Sequence, residues 1–178
     1  MSGYDRHLRA ARVVNEAGGE LVGRTRLQKV VYLAQLAGFG DEFSFEYKHY
    51  GPFSDDLATG MEIAAGVGIV QEEERRAEWG GRYSIYSATR RTPPSENGAR
   101  SAFIQAAARI SPIELELAAT AAFLQQNGWY DRKDGDDPWE ETSRRKPDKV
   151  GGGRLDRAKA AYRTLMAITT PVQLPQIA

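Results

Sequence analysis

The 178 residues are 41% hydrophobic and carry 24 basic against 24 acidic side chains, enough apolar material for a continuous core and no net pull toward a polyanion. Cysteine is absent, which removes disulfides, thiolate nucleophiles and cysteine zinc sites from consideration. No run approaches the roughly 20 apolar residues that cross a bilayer, and Met1–Arg12, charged at Asp5, Arg6, Arg9 and Arg12, lacks the apolar centre of a secretory signal. A cytoplasmic protein with no membrane association is expected.

Helical spacing predicts a first helix from Tyr4 to about Ala17, with Leu8, Ala11 and Val14 on its apolar stripe and Gly18 and Gly19 as its stop. A second helix follows Thr25, which forms a capping box with Gln28; Leu27, Val30, Val31 and Ala34 make its buried face and Gly38 ends it. Phe43, Phe45 and Tyr47 alternate with polar residues as in a half-buried strand. Tyr50, Gly51 and Pro52 then force a turn, and Ser54 caps a third helix that begins with Asp55 and Asp56 and carries Leu57, Met61, Ala64 and Ala65. Ile69 and Val70 open a strand that returns, through Gly80 and Gly81, as a second strand over residues 82–88.

Three helices followed by a hairpin predict a winged-helix-like unit over residues 1–91. Thr92 to Gly98 has the chemistry of a linker. Residues 99–178 read as a helical part packed on the first unit as one compact domain. Within it, Ser111, Pro112 and Glu114 start a helix that Asn127 and Gly128 close, and Leu155, Ala158, Tyr162, Leu165 and Met166 mark the last helix. Trp129 to Gly153, rich in charge, Pro and Gly, is expected to be a long exposed loop or lid. The fold class is therefore α+β, mostly helical, with a small antiparallel sheet.

A search for chemistry returns little. His7 and His49 have no second ligand at helical or hairpin spacing, so no metal is expected. Gly151–Gly153 follows no strand and lacks the Lys and Ser or Thr of a phosphate loop. The runs Glu72–Glu74 and Asp134, Asp136 and Asp137 are solvated like charges. No catalytic residue and no cofactor is expected, and the chain reads as non-enzymatic.

Gly23–Leu33 (GRTRLQKVVYL) and Tyr47–Ser54 (YKHYGPFS) form two blocks that resemble the YwgA-like proteins and, more distantly, the SocA-like antitoxins that share the Panacea domain. In those families a helix with a Leu-Gln-Lys and Tyr-Leu pattern precedes a Tyr-Gly-Pro turn that starts another helix. The resemblance spans about residues 10 to 90, and more loosely Leu115–Leu124 and Leu155–Leu165. Asp137, Pro138 and Trp139 lack the histidine of a His-Pro-Trp-like element found in some Panacea members, which favours the YwgA-like assignment over the antitoxin one. It implies an antitoxin, adaptor or regulator that binds a protein partner, such as a toxin, a phage factor or a host factor. It offers no catalytic residues.

Gln28, Lys29, Tyr47, His49, Tyr50, Gly51 and Pro52 are the expected partner-binding residues, because Gln28 and Lys29 lie off the apolar stripe and the rigid turn is placed to dock against the second helix. The plainer alternative is that Gln28 only caps its helix and Tyr50 only fills the core. DNA is the second expected partner, bound through phosphate contacts from Arg24, Arg26, Arg75, Arg76 and Arg82. Asp55, Asp56 and Glu62 on the third helix oppose that reading, since they repel a duplex.

Overall fold

The computed structural model describes residues 5–90, 98–131 and 137–177. In chain order the elements are α1 (Arg6–Glu16), β1 (Glu20–Val22), α2 (Arg24–Leu36), β2 (Glu46–Lys48), β3 (Gly51–Phe53), α3 (Asp55–Gly66), β4 (Val70–Arg76), β5 (Arg82–Ala88), α4 (Gly98–Ala108), α5 (Pro112–Asn127), α6 (Pro138–Arg145) and α7 (Arg154–Met166). The fold is α+β and mostly helical, with one three-stranded antiparallel sheet in the order β1-β5-β4 and a separate β2–β3 hairpin. No helix among the described residues is long and apolar enough to cross a membrane.

One apolar core joins both halves of the chain. Leu27, Val30 and Leu33 of α2 share it with Leu57 and Met61 of α3, Phe103 and Ile104 of α4, Leu115 and Leu117 of α5, and Tyr162 and Leu165 of α7. At the α1–α3 crossing the backbones approach closely: a Cβ on Gly60 would stand 3.0 Å from the Arg6 carbonyl oxygen. Small residues there bring two helices into direct contact, whereas the expected α1 stripe is only partly realised, because Leu8 is exposed.

Several start and stop signals act as anticipated. The Ser54 hydroxyl accepts from Leu57 N at the start of α3. Ser111 caps α5, with Pro112 in the first turn and Gly128 in the left-handed conformation after its end. The Thr25–Gln28 capping box does not form. Gly23 is the residue before α2 and no side chain caps the helix, because the Gln28 amide is engaged elsewhere. β1 and α4 were not anticipated: β1 is only three residues long, and α4 lies in a segment that offered no cap.

The segment from Trp129 to Gly153 is not simply an exposed loop. Pro138–Arg145 is helical, Asp137 accepts hydrogen bonds from Trp139 N and Glu140 N at 2.7 and 2.9 Å, and Trp139 is buried against Tyr162. Residues 132–136, with Asp134 and Asp136, lie outside the described residues, as do 91–97, which hold most of the expected linker.

A polar knot fastens α4 to α1. The Arg100 guanidinium, buried, pairs with Glu16 at 3.0 Å and also donates to the Phe39 carbonyl, while Glu42 stands 3.4 Å from it. Arg12 reaches the same Glu16 carboxylate at 3.0 Å. Charges so deeply placed persist only when paired and hydrogen-bonded.

Candidate functional site: the clamped turn

The β2–β3 hairpin is a tight corner. Tyr47 faces Pro52 and Lys48 faces Gly51 across it, leaving His49 and Tyr50 at the tip. Gly51 sits at φ +84°, where a side chain is strained, and a Cβ there would lie 2.5 Å from the Thr120 hydroxyl of α5. The sequence Tyr-Gly-Pro thus meets two demands together: a left-handed residue at the corner and a close approach to α5.

Two elements hold this corner by its backbone, α2 and the residue that ends α6. From α2, the Gln28 side chain donates to the Ser54 carbonyl at 2.9 Å and accepts from Ser54 N at 2.8 Å. Lys29, one residue on and only 1% exposed, donates to the Pro52 carbonyl at 2.8 Å. Just after α6, Lys146 donates to the His49 carbonyl at 3.0 Å and to Glu116 of α5 at 2.7 Å. Lys149 adds a second amine to Glu116 at 2.7 Å and sits over the Tyr50 ring at 4.7 Å.

Electrostatics within the clamp are uneven. Three lysines surround one buried carboxylate, so burial, with Lys146 and Lys149 adding to it and Glu116 opposing, lowers the Lys29 amine to about 7. Lys29 is enclosed and donates to a carbonyl of its own chain. Its position suits a structural donor whose charge is marginal at neutral pH. Among the described residues no group of three or more His, Cys, Asp or Glu is placed to hold a metal.

On the outer side of the clamp the rings and cations reach solvent. Tyr47 packs against Phe123 at 5.8 Å and Trp129 at 6.3 Å, with the Arg145 guanidinium over it at 5.0 Å. His49 meets Tyr50 edge-on at 4.8 Å. Tyr50 and Trp129 are each about half exposed. The seven residues expected to bind a partner therefore come together but divide by depth: Gln28, Lys29, Gly51 and Pro52 are buried, while Tyr47 is half-buried and His49 and Tyr50 are exposed. Gln28 and Lys29 are not surface groups.

Glu116, Lys146, Lys149, Arg145 and Trp129 complete the site, and sequence reasoning missed them as site residues. Glu116 did carry a signal, as the only charge in the apolar run Leu115–Leu124. Lys146 and Lys149 carried none, being two cations in a charged stretch.

The five arginines expected at DNA do not converge on a free basic surface. Arg24 pairs with Glu72 at 2.8 Å, Arg75 with Glu73 at 2.8 Å and Arg82 with Glu74 at 2.9 Å. Arg26 donates to the Val22 and Ile110 carbonyls. Arg76 is exposed opposite Arg82 in the hairpin.

No family model matches the chain, and no solved structure matches it. The uncharacterized protein YwgA of Bacillus subtilis (strain 168) is 30% identical over 81 residues, 44% of this chain and 48% of YwgA. The chain spans about half the length of the curated relative it matches. Over that stretch it is similar to YwgA.

Proposed function

We propose that the protein is a non-enzymatic regulator or antitoxin-like module that acts in the cytoplasm by binding a protein partner, such as a toxin, a phage factor or a host factor. The observation that carries this reading is the outer face of the clamped turn. Tyr50, His49 and Trp129 stand in solvent beside Lys149 and Arg145, on a backbone that α2 and Lys146 fix by hydrogen bonds. Tyr, Trp and Arg on a rigid support are the residue types that dominate binding energy, because ordering them on association loses little entropy. Lys149 and Arg145 are paired with Glu116 and Glu141 at 2.7 and 2.6 Å, so the aromatic rings rather than free charge carry this face.

The test is copurification of the tagged full chain from its host, comparing the wild type with Tyr50→Ser combined with His49→Ser. Both side chains reach solvent, so the fold is retained and can be checked by circular dichroism. A bound protein that is lost from the double variant supports the reading. A bound protein retained by the double variant, or none bound to the wild type, contradicts it.

The runner-up is a DNA-binding regulator of winged-helix type, favoured by one observation: a hairpin strand, β5, pairs with β1 to give the order β1-β5-β4 after three helices. Against it, α3 begins with Asp55 and Asp56, contains no basic residue, and three of the five arginines are already ion-paired. A salt-dependent shift of duplex DNA, weakened in Arg75→Ala with Arg76→Ala, would reverse the order of the two readings.

A further inference from the structure

Away from the clamped turn, a cleft of about 330 Å³ opens between the end of α1, β1, the first turn of α2 and the last turn of α4. Glu20, Val22, Arg26, Gln105 and Arg109 line it. Arg26 is the fixed element. Its two terminal nitrogens donate to the Val22 carbonyl at 2.6 Å and the Ile110 carbonyl at 3.3 Å, while its Nε is buried and has no hydrogen-bond partner among the described residues.

That guanidinium has no carboxylate partner among the described residues. Burial pulls its affinity for the proton below the usual arginine value, the mark of a cation held in a partly dry place without a counter-ion. Arg109 sits on the same cleft, is exposed, and forms no ion pair among the described residues. Glu20, also exposed and lining the cleft, pairs with neither arginine. Two guanidiniums against one carboxylate leave the cleft with an excess of one positive charge, while most other arginines described here are matched to a glutamate or aspartate.

We infer that this cleft is an oxyanion site, taking a carboxylate or phosphate group of a ligand between the fixed guanidinium of Arg26 and the outer guanidinium of Arg109. A guanidinium is weakly hydrated and presents its N–H groups in a planar fork, so an oxyanion replaces the missing counter-charge at little desolvation cost. Glu20 tunes the site by opposing the ligand's charge. The site is separate from the turn face and stands whether or not that face binds a protein.

The experiment is titration of the ¹⁵N-labelled full chain with inorganic phosphate and, separately, sodium acetate, each against sodium chloride at matched ionic strength, following backbone amides and the Arg26 Nε–H resonance by NMR. Saturable shifts at Gly18, Val22, Gln105 and Arg109 that chloride does not reproduce are expected. Arg109→Gln should weaken them about tenfold and Glu20→Gln should tighten them several-fold, since each alters one unit charge at short range. Arg109 is exposed, so its replacement leaves the fold intact, and an unchanged spectrum away from the cleft verifies that. Saturation by phosphate alone assigns a phosphate ester, by acetate alone a carboxylate, and by both the shared charge. Saturation by neither, or shifts indifferent to Arg109→Gln, overturns the inference.

Discussion

The Gln28 side chain pairs with the backbone of Ser54 as a neighbouring strand would, its amide donating to the carbonyl at 2.9 Å and accepting from the N–H at 2.8 Å. Ser54 is itself the cap of α3. One side chain of α2 thus ties the end of the β2–β3 hairpin to the start of α3.

Replacing Gln28 by Ala strands the buried Ser54 N–H, whereas the Ser54 carbonyl still accepts from Ala58 N at 3.1 Å. One unsatisfied buried donor costs about 1–3 kcal/mol, so Gln28→Ala is expected to destabilise the protein by about 2 kcal/mol in urea unfolding. Gln28→Glu keeps the acceptor for Ser54 N but loses the donor and buries a charge, so it should be no better. A loss below about 1 kcal/mol for Gln28→Ala would show that water replaces the amide.

Lys29 makes stability depend on pH with a definite sign. Its amine falls from 10.5 to about 7 in the folded chain, chiefly through burial. Between those values the unfolded chain holds the proton and the folded chain does not, so the unfolded state binds more protons and stability rises with pH. Below about 7 both states are protonated and the penalty is constant. Lys29→Met lacks this contribution, so the wild type should gain relative to the variant as pH rises from about 7 to 9. Tyr32 and Tyr162, which burial pushes up, act only above their ordinary range near 10 and in the opposite direction. Equal pH profiles for the two proteins would refute the assignment.

Gly51→Ala places a methyl group 2.5 Å from the Thr120 hydroxyl and forces a non-glycine residue to φ +84°. The left-handed backbone alone costs about 1–2 kcal/mol, and the clash displaces α5 or the corner. A destabilisation of about 2–4 kcal/mol is expected in urea unfolding, and changing Thr120 to Ala as well removes the clashing oxygen and recovers only the part above the backbone cost. Thr120 Oγ1 has no hydrogen-bond partner among the described residues, so moving it breaks no bond.

Removing Glu116 leaves Lys146 buried without its carboxylate and Lys149 without its anchor. Glu116→Ala should cost about 3–5 kcal/mol, as for other broken buried pairs. Glu116→Leu together with Lys146→Met removes the charge problem along with the bond, so the double variant should be clearly more stable than Glu116→Ala. If the two are equally unstable, the hydrogen bond from Lys146 to the His49 carbonyl, rather than charge, holds the corner.

Local rules carried much of this fold. The Ser54 and Ser111 caps, the Gly128 stop and the hairpin through Gly80 and Gly81 depend on residues within a few positions of one another, and the sequence alone announces them. Asp137-Pro138 carried the same kind of signal for α6, a capping carboxylate followed by a first-turn proline, but was obscured by the charge around it. Glu116, a lone charge in an apolar helix, carried a signal that the sequence reading passed over.

What only the tertiary structure decided is where polar groups from distant positions spend their hydrogen bonds. Gln28 suits a capping box by spacing and instead reaches Ser54; Lys29 looks like a surface cation and is enclosed; Lys146 finds a carbonyl 97 positions away. Local sequence fixes which hydrogen bonds a side chain is able to make. Burial then selects among them, because a polar group removed from water must take whichever partner the packed core brings within about 3 Å.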